Sequence, residues 1–185
     1  KRYGKFKAID NISFEINDGE IVGLLGPNGA GKSTTMNILT GFIEPTEGEV
    51  IINGYNISKK TKKAKKCIGY MPEGVPLYKD MTVKEFVTYM AELKGVKKDK
   101  IKESVEQAIQ DTWLQNVRKV LIKNLSKGYK QRVSMAGALV GNPEIIILDE
   151  PTVGLDPKQI IEIRNLIKKL LLNNLLSRSF IVLWW

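Results

Sequence analysis

Gly26-Pro27-Asn28-Gly29-Ala30-Gly31-Lys32-Ser33-Thr34 spaces its glycines, lysine and hydroxyl as G-x-x-x-x-G-K-S, a pattern suited to holding phosphate oxygens. Glycines let consecutive main-chain N–H groups turn inward around an anion, and the start of a following helix adds positive potential. Lys32 can then reach the β- and γ-phosphates, while the Ser33 hydroxyl can ligate Mg²⁺. Ile145-Ile146-Ile147-Leu148-Asp149-Glu150 is the second chemical run. A buried strand that delivers two acids at its carboxyl end suits phosphoryl transfer: Asp149 in the Mg²⁺ shell, Glu150 polarising the attacking water. Together the two runs point to ATP with Mg²⁺ as ligand.

These groups need elements to hold them. Ile21-Val22-Gly23-Leu24-Leu25 reads as a short strand buried on both faces of a parallel sheet, with a helix expected from near Gly31. Ile9 to Ile16 alternates apolar Ile12, Phe14 and Ile16 with polar residues, as a half-buried strand does, before the turn residues Asn17-Asp18-Gly19. Gly48 to Gly54 reads as a strand closed by Asn53-Gly54, and Cys67 to Met71 as another. Thr82 to Lys94 predicts a helix: Val83, Phe86, Val87, Met90 and Leu93 recur at helical spacing, Thr82 and Glu85 make a capping box, and Gly95 ends it. Helices are also expected over Ile101 to Gln110, Trp113 to Val117, Ser126 to Val140 and Pro157 to Leu170, the last with proline at its first position.

Composition sets bounds. The 185 residues, 43% hydrophobic and 26% charged, suit one globular domain and argue against disorder. The single cysteine, Cys67, makes no internal disulfide and fits a reducing cytosol, and no stretch reaches the ~18 uninterrupted apolar residues of a membrane span. The net charge of +9 is concentrated in Lys59, Lys60, Lys62, Lys63, Lys65 and Lys66. Such a cluster is either a solvated face or a contact for a polyanion.

Leu125-Ser126-Lys127-Gly128-Tyr129-Lys130-Gln131-Arg132 precedes the acid-tipped strand, and Pro151-Thr152-Val153-Gly154-Leu155-Asp156-Pro157 follows it. In this order around the two phosphate motifs, the chain resembles the ATPase subunit of ABC transporters, with a signature motif at Ser126, Lys127, Gly128 and Tyr129 and a D-loop at Leu155 and Asp156. Lys127 and Tyr129 stand where the commonest family pattern has glycine and glutamine. The resemblance implies a P-loop α/β fold: a mostly parallel sheet flanked by helices, an N-terminal antiparallel β region, and a helical subdomain inserted at about 82–123. It implies a head-to-tail dimer in which Ser126 and Gly128 serve the other subunit's nucleotide; Ser126 also reads simply as the cap of its helix. Gly69 to Glu73 resembles the Q-loop with Glu73 in place of glutamine, either an oxygen for Mg²⁺ or an exposed loop acid. Tyr3 resembles the aromatic that stacks on adenine, or is an ordinary surface tyrosine. The run from Gly74 to Phe86 is similar to the branch that powers ABC-2 type exporters.

The resemblance further implies ATP-driven transport through a separate membrane permease, a place at the cytoplasmic face of the membrane, and no nucleic-acid partner. Two rival readings stand beside it: an ATP-binding subunit without turnover, and a soluble ABC ATPase acting on nucleic acid or the ribosome. The family also places a histidine beside the γ-phosphate after a late strand, and the sequence holds none. Phe180 to Leu183 still reads as that strand. By this comparison the chain is expected to be incomplete at both ends, through truncation or a coding disruption near Leu170 rather than natural variation. An ATPase is implied for the intact protein, and turnover by this chain alone is left open.

Overall fold

The β-branched apolar runs become one parallel sheet, and the glycine-rich and acidic motifs fall at the carboxyl ends of its strands. The computed structural model describes residues 1–74, 77–174 and 179–183. An antiparallel pair, β1 (Arg2–Tyr3) and β2 (Phe6–Lys7), opens the chain, and β3 (Ile21–Leu24) leads through the glycine loop into α1 (Lys32–Leu39). A second pair, β4 (Ile51–Ile52) and β5 (Tyr55–Asn56), is followed by α2 (Thr61–Lys66) and β6 (Ile68–Met71). Then come α3 (Val83–Leu93), α4 (Lys98–Asp111), α5 (Lys127–Leu139), β7 (Ile145–Asp149), α6 (Pro157–Asn174) and β8 (Ser179–Leu183). The main sheet runs β3-β8-β7-β6, with every neighbouring pair parallel. This is the P-loop α/β architecture expected from the sequence.

Local chemistry explains several boundaries. Thr82 caps α3 by accepting from the Glu85 N–H, while the Glu85 side chain reaches back to Thr82 N–H at 2.8 Å. This closes two of the donors that a helix start leaves unpaired. Asn53 and Gly54 both take positive φ, 45° and 73°, as a two-residue turn between twisted antiparallel strands requires. Pro157 opens α6, where its missing N–H is not needed.

Three apolar clusters hold the layers. One joins α3, α4 and α5 through Phe86, Val87, Ile109, Val133 and Ala136. A second places Met135, Leu139, Ile163 and Leu166 against β7, and a third places Met36, Ile57 and Cys67 on the opposite side, against Ile147 and Ile181. Cys67 is free and buried.

The structure corrects four expectations. Ile9 to Ile16 forms no strand; Ile12 and Phe14 stay exposed, because alternation prepares a strand face but only a partner backbone supplies its ladder. β3 is not buried on both faces: it is an edge strand bonded to β8 alone among the described residues, with Ile21 exposed. The strand expected over Gly48 to Gly54 is two residues long. Trp113 to Val117 is not an α-helix; Trp113 takes φ 56° and only a single 3₁₀ turn, Gln115–Val117, follows. Phe180 to Leu183 does form a strand, as part of β8. Val75 and Pro76 of the exporter-like run, and the tail at 175–178 and 184–185, lie outside the described residues. No helix among the described residues is long and apolar enough to cross a membrane.

Candidate nucleotide site

Between β3 and α1 the chain makes an exposed loop whose glycines at 26, 29 and 31 adopt φ of 155°, 85° and 86°. Side chains there would force the main-chain N–H groups away from a common centre. Gly31 carries a second constraint: a Cβ would collide with the Ala8 carbonyl oxygen, so the segment after β2 packs directly behind the loop. Lys32 Nζ donates to the carbonyls of Gly26 at 2.6 Å and Pro27 at 3.0 Å, which places its ammonium over the loop it follows. Ser33 is exposed and Thr34 half-buried in the first turn of α1, with Pro27, Asn28 and Ala30 exposed in the loop. This α1 start has no acidic residue and no side-chain cap, so its N–H groups and dipole face an incoming anion.

β8 lies between β3 and β7, with Leu183 opposite both Leu24 and Asp149. The glycine loop and the two acids therefore leave the same edge of the sheet, one strand apart. Asp149 and Glu150 are 9% and 8% exposed. Glu150 adopts φ 49°, a strained conformation for a non-glycine residue of the kind found at functional sites. Burial pushes the Asp149 carboxyl up from the usual aspartate range, and the nearby Glu73 charge adds to the rise. The Tyr70 hydroxyl, donating to Asp149 at 3.4 Å, and the Glu73 main-chain N–H oppose it. The Tyr70 phenol is itself pushed up to about 12, first by burial and then by Asp149. A carboxylate held in such surroundings gains from a cation, and Mg²⁺ binds through one or two carboxylates plus phosphate oxygens rather than in a protein cage. Ser33, Asp149 and exposed Glu73 fit that donor set.

The signature residues occupy the start of α5. Ser126 caps it, accepting from Tyr129 N–H at 3.3 Å, and the buried Gly128 lets the helix approach the Gln159 side chain of α6. Lys127 extends its ammonium over Gly154, where a Cβ would collide with it. Leu155 packs on the core beside β7. Asp156 caps α6, its Oδ1 accepting from Gln159 N–H at 2.8 Å. Tyr3 is exposed in β1, next to the Lys1 ammonium at 5.3 Å from its ring centroid.

Sequence reasoning missed the cluster that binds the signature helix to its neighbours. Arg132 lies over the rings of Trp113, at 5.5 Å, and Tyr129, at 5.2 Å, and pairs with Glu162 at 2.5 Å. These residues line a cleft of about 540 Å³ that opens beside Ser126. Only the 30-residue separation of Arg132 and Glu162 on two adjacent helices hints at this pair, and no sequence rule selects it.

Comparison with known proteins places the chain among relatives. The ABC transporter family model matches residues 9–153. The linearmycin resistance ATP-binding protein LnrL of Bacillus subtilis is 38% identical over 170 residues, covering 92% of this chain and 55% of that protein. The bacitracin transport ATP-binding protein BcrA of Bacillus licheniformis is 40% identical with the same coverage, so the chain spans about half the length of these relatives. Among solved structures, an ATP-binding cassette in a dimeric post-hydrolysis state, bound to ADP and Pi, superposes with a TM-score of 0.79 at 31% identity, covering 95% of this chain and 79% of that one.

Proposed function

Because the chain belongs to the ABC transporter family, we propose that it binds ATP with Mg²⁺ and, within its intact protein, hydrolyses it to drive transport through a separate permease. The observation that carries this reading is the shared sheet edge: the phosphate loop after β3 and the buried Asp149-Glu150 pair after β7, brought one strand apart by β8. The N–H groups at 26–33 hold phosphate oxygens, with Lys32 transferring its hydrogen bonds from the Gly26 and Pro27 carbonyls to the outer phosphates. Ser33 and Asp149 would hold Mg²⁺, with Glu73 offering a further oxygen or orienting water nearby, and the bound ion would neutralise charge on the phosphoryl oxygens. Glu150 accepts the proton of the attacking water at its carboxylate. Tyr3 stacks on the base.

Ser126 and Gly128 present a helix start to the nucleotide of a second ATPase subunit, paired head to tail. α5 packs mainly against α3, α4, α6, β6 and β7, which favours service to a neighbour over service to its own loop. Residues 82–123 act as a helical subdomain that passes the permease's motion to α5 through their common core. These assignments place the protein peripherally on the cytoplasmic face.

The test is equilibrium binding of ATP with and without Mg²⁺, alongside phosphate release. Saturable Mg²⁺-dependent binding, lost in Lys32→Ala, is expected. Absence of ATP binding by the native chain would sink the proposal.

A further inference from the structure

Residues 59–66 read Lys-Lys-Thr-Lys-Lys-Ala-Lys-Lys, six cations in eight positions with no acid between them. All six lysines are exposed, and Ala64 is the one residue of the segment that turns into the core. Among the described residues, none of the six takes part in an ion pair. α2 brings like charges together at Lys62/Lys66, four positions apart, and at Lys62/Lys65 and Lys63/Lys66, three apart, where they repel. Lys60 and Lys62 also sit at the helix start, whose dipole disfavours cations, and no acid occupies its first turn. Lys63, Lys65 and Lys66 lie in the last turn, where the dipole favours cations, so the cost falls on the helix start and on the mutual repulsion of the cluster.

Aromatic surface adjoins the charge. Lys60 and Lys63 hold their ammonium groups 6.0 and 5.7 Å from the Tyr55 ring centroid. Phe42, 79% exposed, follows Gly41, where an added Cβ would come within 3.0 Å of the Lys65 stem. The topology also sets the patch apart from the nucleotide site. α2 ends immediately before β6 begins, at the amino edge of the sheet, whereas the phosphate loop, Glu73 and the acid pair leave the carboxyl edge. The turn after α1, at Gly41, lies against the Lys65 stem, while the first turn of α1 follows the phosphate loop.

We infer that α2 and Phe42 form a surface that binds an anionic lipid bilayer directly. Flexible lysines can drop their ammonium groups among lipid phosphates while an exposed aromatic enters the interface. Nucleic acid is the less suited polyanion, since the cluster contains no arginine for bidentate phosphate contacts. This contact supplements the permease and is independent of ATP chemistry; its failure leaves the nucleotide assignment standing.

The test is flotation of the chain with phosphatidylcholine vesicles containing about 30 mol % phosphatidylglycerol at low salt, against pure phosphatidylcholine. Expected results are binding to the anionic vesicles alone, a loss of about tenfold or more in affinity between ~50 and ~300 mM salt, and a similar loss when Lys62, Lys63, Lys65 and Lys66 are all replaced by glutamine. Lys59→Gln with Lys60→Gln, outside the helix, lowers affinity in the same direction without touching α2. Phe42→Ala weakens vesicle binding about two- to fivefold and leaves its salt dependence in place. Equal binding by the fourfold variant, equal binding to neutral vesicles, tighter binding to duplex DNA at matched phosphate, or no effect of Phe42→Ala would each overturn the inference.

Discussion

The two halves of the molecule are packed on different principles. From Leu77 to Leu139 the helices α3, α4 and α5 bury a continuous apolar core of their own, in which Val83, Val87, Leu114, Ile122 and Val133 are fully enclosed. Around the phosphate loop the same kinds of side chain remain open: Phe6 is 64% and Leu25 71% exposed, with Ile12, Phe14 and Ile21 beside them in sequence. The helical half, which the proposed function makes a lever, is held by the contacts of its own core. The loop half carries groups whose chemistry suits a phosphate and a cation: N–H donors, a lysine over its own carbonyls, and two buried acids. Stability in the first half comes from packing; in the second, bound nucleotide and cation are expected to supply part of it by linkage.

The strongest way to break this contrast is to remove chemistry from the loop half and look for damage in the lever. Glu150→Gln should lower phosphate release by about 10²- to 10⁴-fold in the intact protein while retaining ATP binding. Its unfolding midpoint without ligand should not fall, because the substitution leaves the helical core untouched. A loss of ATP affinity comparable to that of Lys32→Ala would show that Glu150 builds the site rather than working in it.

Packing supplies the next effect. Phe86→Ala, which empties a buried ring position between α3 and α5, should cost about 3–5 kcal/mol by denaturant titration. Leu25→Ala, on the exposed approach to the loop, should stay within about 0.5 kcal/mol. Similar costs at the two positions would erase the distinction between the halves.

What could be read from sequence divides along the same line. The Thr82-Glu85 box, the Asn53-Gly54 turn and the glycine-lysine loop are local devices, each a few residues long, and their geometry follows from covalent structure and nearest-neighbour hydrogen bonds. The acid pair was legible because a run of β-branched residues announces its buried strand. Ile12 to Ile16 misled because a strand's existence depends on a partner that its own pattern does not contain. The Trp113-Arg132-Glu162 cluster was invisible for a related reason: its members come from the turn after α4, from α5 and from α6, and tertiary packing alone brings them together. The same holds for Lys94, an ordinary basic residue at the end of a helix until the fold sets its Nζ 2.6 Å from the Ala138 carbonyl and 3.2 Å from that of Val140.

Lys94 offers a test of the lever by pH. Burial lowers its amine from 10.5 to about 8, so between those values the unfolded chain holds a proton that the folded chain has released. Stability should therefore rise with pH across that window, by about 1–2 kcal/mol between pH 8 and 9.5, and lie flat in this respect below pH 8. Cys67, whose thiol burial pushes above 9.0, acts in the opposite direction from about that pH. The difference between wild type and Lys94→Gln isolates the lysine, and the rise should vanish in the variant. A rise that persists unchanged would mean that the Lys94 amine is hydrated rather than clasped by the end of α5.

The smallest effect separates two roles at one atom. Ser126 Oγ caps α5, and the proposed mechanism also turns it toward the neighbouring subunit's phosphate. Ser126→Ala should cost about 1 kcal/mol of stability through the cap alone, and it weakens ATP-dependent pairing on either account, so it does not decide. Ser126→Asp does. Aspartate caps a helix as well as serine, so the lever should keep its stability, whereas its negative charge at the helix start opposes an arriving phosphate. Retained thermal stability with lost ATP-dependent dimerisation, measured by light scattering, is the expected pair of outcomes. If dimerisation survives the aspartate, the hydroxyl serves its own helix only, and the loop half finds its second phosphate contact elsewhere.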